Sequence, residues 1–128
     1  MTIAREQTPM SGPPVDMERL NYVTEGELDS LREIVDIYIK QTEMQLGQIE
    51  VAILSQSAKE VQELAHSCGG ASSTCGMVAV VAPLLELEKM GCQNQLTGAT
   101  EQLTAARASF EQIKQFLAAL PEAITPGS

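Results

Sequence analysis

The chain has 128 residues, 44% hydrophobic and 20% charged, which suits one domain with a single modest core and argues against wholesale disorder. Lys and Arg number 8 against 17 Asp and Glu, and aromatic residues make up 3% with no Trp. A net charge of -9 repels phosphate backbones and anionic bilayers, and so few rings give bases nothing to stack on, so nucleic acid and membrane surfaces are excluded as partners.

Residues 1–15 carry three prolines among Ser, Gly and Thr, and are expected to form a flexible leader. A short helical turn is predicted near Asp16 to Leu20. The next element is long: Leu28, Leu31, Val35, Tyr38, Thr42, Leu46, Ile49 and Ile53 recur every three or four residues, with Glu27, Arg32, Asp36, Lys40 and Glu43 on the other face. Gly47 predicts a bend in it. A second stripe follows, made of Val61, Leu64, Ala65, Cys68, Ser72 and Cys75, with Ser57 and Glu60 spaced as a capping box. A third segment runs from about Met77 to Met90 with Val80, Val81, Leu84, Leu87 and Met90 inward. Pro83 either kinks it or sits in the first turn of a later start, and Gly91 reads as its C-terminal stop. The last stripe is Leu96, Ala99, Leu103, Ala106, Phe110, Ile113, Leu117 and Leu120, ended by Pro121. Residues 121–128 are expected to be a flexible tail.

Four amphipathic helices joined by short loops hide their stripes by facing one axis. The expected fold is all-α: an antiparallel four-helix bundle over residues 16–120 with a short extra N-terminal helix. The three cysteines, Cys68, Cys75 and Cys92, have no disulfide-like spacing, which points to a reducing compartment. Cys68 and Cys75 are seven residues apart on one helix, about 10.5 Å, too far to bridge, and read as small hydrophobes. A zinc site from His66 and the cysteines would need ligands from opposite helix faces, so no metal site is expected. No segment approaches the roughly 20 apolar residues of a membrane span, and none has the pattern of a secretion signal. A cytoplasmic, monomeric and, with Met1 first and no second domain, free-standing protein is the expectation.

One stretch breaks the local rules. His66, the single histidine, falls on the wheel with Lys59, Gln62, Glu63, Gly69, Gly70 and Ser73, away from the apolar stripe. Each helical glycine costs about 1 kcal/mol relative to Ala, and two together beside an exposed ring leave bare backbone that lets a partner come close. An exposed imidazole is mostly neutral and nucleophilic at pH 7. No buried acid or nearby hydroxyl sets up a hydrolytic relay, Glu63 being on the same face but exposed. What remains is attack by the ring on an electrophile brought by another protein, a phosphoryl group above all. There is no ATP site, because no glycine-rich phosphate loop with Lys-Ser/Thr occurs and Gly69-Gly70 lies within a helix.

The stretch Ala65 to Met77, AHSCGGASSTCGM, resembles the motif of histidine-containing phosphotransfer (HPt) domains, H-x-L-K-G-[SA]-[SA]-x-x-x-G-[AM]. His66 stands at the phospho-accepting position, Gly70, Ala71, Ser72 and Gly76 at its small positions, and Leu87-Glu88 at a Leu-Glu pair on the following helix. Val15 to Leu20 and Leu31 to Thr42 are similar to the family's short first and long second helices. Two positions depart: Gly69 stands where the family has lysine, and Cys68 where it has leucine. Pro83 also replaces an apolar residue. Lys59, on the same face, is a candidate substitute for the lysine.

The resemblance implies a phosphocarrier, not a stand-alone turnover enzyme. His66 would accept a phosphoryl group from a receiver-domain aspartate and pass it to another receiver. Lys59, Gln62, Glu63, Gly69, Gly70 and Ser73 are then the partner-binding or phosphate-proximal positions. The partners are response-regulator receiver domains or a hybrid histidine kinase. No cofactor is expected on this chain, since Mg²⁺ would sit on the receiver. Two other readings stand beside it: a degenerate adaptor that binds receiver or kinase domains without taking phosphate, which Gly69 favours, and a metal-binding helical bundle.

Overall fold

A computed structural model of the protein describes residues 13–120. Five helices follow one another: α1 (Met17–Thr24), α2 (Leu28–Leu54), α3 (Ala58–Thr74), α4 (Val81–Cys92) and α5 (Ala99–Ala118), with a 3₁₀ turn at Val78–Val80 before α4. Helices α2 to α5 form the bundle, and α1 closes one end. The antiparallel order is visible in the cross-links. Gln45 and Ser67 pair, as do Tyr38 and Ser72, between α2 and α3, and Glu50–Arg107 and Glu43–Lys114 pair between α2 and α5.

The periodic stripes become the core. Leu31, Val35, Leu46 and Ile49 of α2 meet Val61, Ala65 and Cys68 of α3, Leu84 and Leu87 of α4, and Leu103, Phe110, Ile113 and Leu117 of α5, all buried. Two aromatic rings suffice to pin α2 to α5: Tyr38 and Phe110 meet edge to face at 6.3 Å between centroids. Leu28 departs from its predicted stripe and is exposed, because it opens α2 beyond the point where burial begins at Leu31.

Asp16 caps α1 by accepting the Arg19 backbone N–H, and Arg19 Nε donates to the Thr74 carbonyl at 3.0 Å, which joins α1 to the C-terminal end of α3. The helix is longer than the predicted turn. The expected tail, residues 121–128, and most of the expected leader lie outside the described residues, and so does Pro121. The leader's last residues are packed: Val15 is buried, Pro14 O accepts from Ala79 N–H, and Gly76 O accepts from Asp16 N–H at 2.7 Å. Gly76 permits that approach in two ways. Its φ is +82°, and a Cβ there would lie 2.6 Å from Asp16 O.

Pro83 takes the second of its two expected placements, while the signals at Gly91, Ser57 and Gly47 resolve differently from expectation. Pro83 is the third residue of α4, in the first turn, where a missing N–H has no helical acceptor to lose. Gly91 is not the stop. The helix runs on to Cys92 and turns at Asn94, whose φ is +55°. Ser57 occupies the N-cap of α3, but its hydroxyl makes no capping bond, so the predicted capping box does not form. Helix α2 passes through Gly47 unbroken. Among the described residues no helix is long and apolar enough to cross a membrane.

Candidate functional site

The register of α4 against α3 is set by one close approach. A Cβ on Gly91 would fall 2.6 Å from both Ala58 O and Gln62 N, so α4 rests directly on the backbone of the first turns of α3. The two helices run antiparallel, and one turn back along α4 Glu88 reaches one turn forward along α3, to His66. Another turn on, the Cβ position of Gly69 lies 3.6 Å from Leu84 Cβ. Three steps of the same ladder thus place a carboxylate beside the imidazole.

His66 is exposed, with 74% of its side chain accessible, as the wheel predicts. Its Nδ1 lies 2.9 Å from Glu88 Oε2. An ionised carboxylate only accepts, so the Nδ1–H donates and the ring is held in that tautomer. The lone pair is then on Nε2, which makes no hydrogen bond to any described residue. Glu88 is less exposed than the histidine, at 28%, and is well placed to orient it.

An open cleft of about 370 Å³ lies beside the ring, lined by Lys59, Gln62, Glu63, His66 and Glu88. The fold therefore brings four of the predicted positions together. Lys59 Nζ rests 3.3 Å from Glu63 Oε2, one turn along the same helix. The other three lie elsewhere. Gly70 is exposed with open space at its Cβ position, and Ser73 is exposed further down the helix. Gly69 is half-buried against α4, not on the open face, because α4 covers that edge of α3.

Glu88 as the ring's partner is absent from the sequence reading, which sought an orienting acid on the histidine's own helix. The signal was the Leu87-Glu88 pair: a buried Leu followed by an acid that must sit at the edge of the α3–α4 contact. The cysteines bring no chemistry to the cleft. Cys68 is buried, Cys75 half-buried and Cys92 exposed. Burial pushes the Cys68 thiol up to about 11, away from the reactive thiolate. Among the described residues no group of three or more His, Cys, Asp or Glu could hold a metal ion.

On the other flank of α3 a second groove, of about 600 Å³, runs along α2. Met44 and Val51 line it from α2 and Leu64 from α3, while Glu60 and Glu63 form its rim. Met44 and Val51 are 57% and 63% exposed, unusual for large apolar side chains, and Glu63 belongs to both hollows.

Residues 33–123 match the family model described as Hpt domain. The crystal structure of histidine-containing phosphotransfer protein B (HptB) from Pseudomonas aeruginosa PAO1 is similar in fold, with a TM-score of 0.77 at 24% identity over 83% of this chain and 92% of that one. A comparison with curated proteins returned no match.

Proposed function

The chain belongs to the Hpt domain family, whose members relay phosphoryl groups with receiver domains, and on that premise we propose that Nε2 of His66 is the phosphoryl-accepting atom of this protein. The observation that carries the proposal is the ring's setting: exposed, held at Nδ1 by Glu88, and lining an open cleft. In the forward step the Nε2 lone pair attacks the phosphorus of a receiver's aspartyl phosphate. The Nε2–P bond forms as the P–O bond to the aspartate breaks, and the carboxylate leaves. The reverse step returns the phosphoryl group to the aspartate of a second receiver. Mg²⁺ and the acids that hold it belong to the receiver. This chain supplies the nucleophile, its orientation and a docking surface.

As the ring becomes phosphorylated on Nε2 it gains positive character, which the Glu88 carboxylate offsets through Nδ1–H. The groove formed by Met44, Val51 and Leu64, on the other flank of α3, gives an incoming domain apolar surface that shares Glu63 with the cleft of His66. A mixture with labelled, phosphorylated receiver domains tests the reading. Acid-labile label should appear on the wild type and be absent from His66→Gln. Label that persists on His66→Gln would remove His66 from the role.

Gly69, in the position where the resemblance places lysine, favours a second reading: an adaptor that docks on receivers without taking phosphate. In that case His66→Gln leaves receiver binding and signalling output unchanged, and no label appears on either protein.

A further inference from the structure

A phosphoryl group on Nε2 adds nearly two negative charges to a cleft whose lining already includes the carboxylates of Glu63 and Glu88. The turn downstream of the ring has no cation to answer them, because residues 69 and 70 are glycines. We propose that Lys59 is the phosphoryl-binding cation of this domain, reaching phosphorylated His66 from the upstream side of the ring. The inference rests on His66 being the acceptor.

The geometry supports the upstream side. Side chains on a helix lean toward its N-terminus, so the imidazole of His66 lies over the turn that carries Gln62 and Glu63. The cleft opens there, and Lys59 is the one cation among the described residues that lines it. The charged groups facing the site are Lys59 and Glu63 of α3 and Glu88 of α4, and α2 contributes none. Two helical turns separate the Lys59 and His66 backbones by about 10.5 Å, but the imidazole leans upstream and the long lysine side chain lines the same cleft, so a phosphoryl group on the ring shortens the remaining gap.

In the free protein the ammonium is parked on Glu63 at 3.3 Å, with both side chains well exposed, at 82% and 61%. Such a pair is held weakly. A phosphoryl group offers more charge and three acceptor oxygens, so Lys59 exchanges one partner for the other. No bond is made or broken at the lysine. Gln62, half-buried at the floor of the cleft, supplies an amide N–H from the same side.

The test uses the full chain phosphorylated with phosphoramidate, in which the P–N bond breaks, ammonia leaves and the Nε2–P bond forms, so no receiver is needed. The ³¹P signal of the product is followed against pH. A nearby ammonium favours the phosphoryl dianion, so Lys59→Gln should weaken the acid constant of the phosphoryl group by about threefold, the scale of one exposed charge pair. Lys59→Arg should retain the wild-type value. Gly69→Lys added to Lys59→Gln should restore it, because the Cβ position at 69 has only an ordinary contact, 3.6 Å to Leu84. Glu63→Gln, which frees Lys59, should shift the midpoint the opposite way from Lys59→Gln.

A titration of Lys59→Gln that coincides with the wild type, or a shift no larger than that of Lys40→Gln, whose lysine pairs with Asp36 on α2, overturns the assignment of Lys59 while leaving His66 as the acceptor. A wild type that takes up no more phosphoryl than His66→Gln overturns both.

Discussion

Along its α4 flank, α3 meets its neighbour backbone to backbone at Gly91, whereas along its α2 flank it meets its neighbour through side chains: the buried Tyr38–Ser72 hydroxyl pair at 2.8 Å and the Gln45–Ser67 bond at 3.3 Å. The first contact leaves no freedom in register and fixes the carboxylate of Glu88 on His66. The second leaves room, and the groove beside Met44, Val51 and Leu64 stays unfilled. The two flanks divide the work. One holds the ring, and the other keeps apolar surface for whatever brings the phosphoryl group.

Breaking the rigid flank gives the largest effect on stability. Gly91→Ala sets a methyl group 2.6 Å from two backbone atoms of α3, and backbone cannot swing aside as a side chain can. The variant should lose about 1–3 kcal/mol of stability, read as a lower urea midpoint. The separation of α4 from α3 should also loosen the His66–Glu88 bond. Gly70→Ala is the sharpening control. Its Cβ position is open and its conformation helical, so it should gain about 0.5–1 kcal/mol. Equal stability of the Gly91 variant and the wild type would show that the seam is softer than the geometry states.

Glu88→Gln probes what the rigid flank is for. The carboxylate is partly exposed and its partner largely so, and the variant should therefore fold with little change in stability. Phosphoryl uptake should fall by about tenfold, the scale on which a histidine loses function with its orienting partner. ¹⁵N shifts of the ring should report a loss of the Nδ1–H tautomer. Unchanged uptake with an unchanged tautomer would leave Glu88 without a positioning role.

The difference between the flanks also marks what a sequence makes legible. His66 could be placed in solvent because periodicity assigns faces within one helix, and the stripe from Val61 to Cys75 leaves the ring outside it. Glu88 could not be placed on His66 that way, since their pairing depends on the register between two helices. That register is set by a glycine. Gly91 carries both possible meanings in the sequence, a helix stop or a close approach, and only the path of α3 decides between them. Gly69 is half-buried for the same reason: a wheel drawn for α3 alone does not know that α4 covers that edge. The bundle itself was legible because four stripes of matching length have few other ways to bury themselves.

The α2 flank should show itself in alkali. Burial raises the Tyr38 phenol from its ordinary 10.0 to about 12, against a lowering by its bond to Ser72, and raises Cys68 from 9.0 to about 11. Both groups are harder to ionise in the folded chain than in the unfolded one. The unfolded state therefore loses its protons first, and the folded state binds more protons between about pH 9 and 12. Stability should be independent of these groups below about pH 9 and fall above it, with Cys68 contributing first and Tyr38 about one pH unit later. Tyr38→Phe separates the two. Near neutral pH it removes a buried hydroxyl that bonds Ser72, while Ser72 keeps its own bond to the Cys68 carbonyl at 2.8 Å, so the cost should be about 1 kcal/mol. Above pH 10 the variant should lose stability less steeply than the wild type, because the phenol's share of the loss is gone while the thiols still ionise. Urea titrations at pH 7, 9 and 10.5 measure both effects, and parallel alkaline slopes for the two proteins would mean that the phenol is not buried as the α2–α3 contact requires.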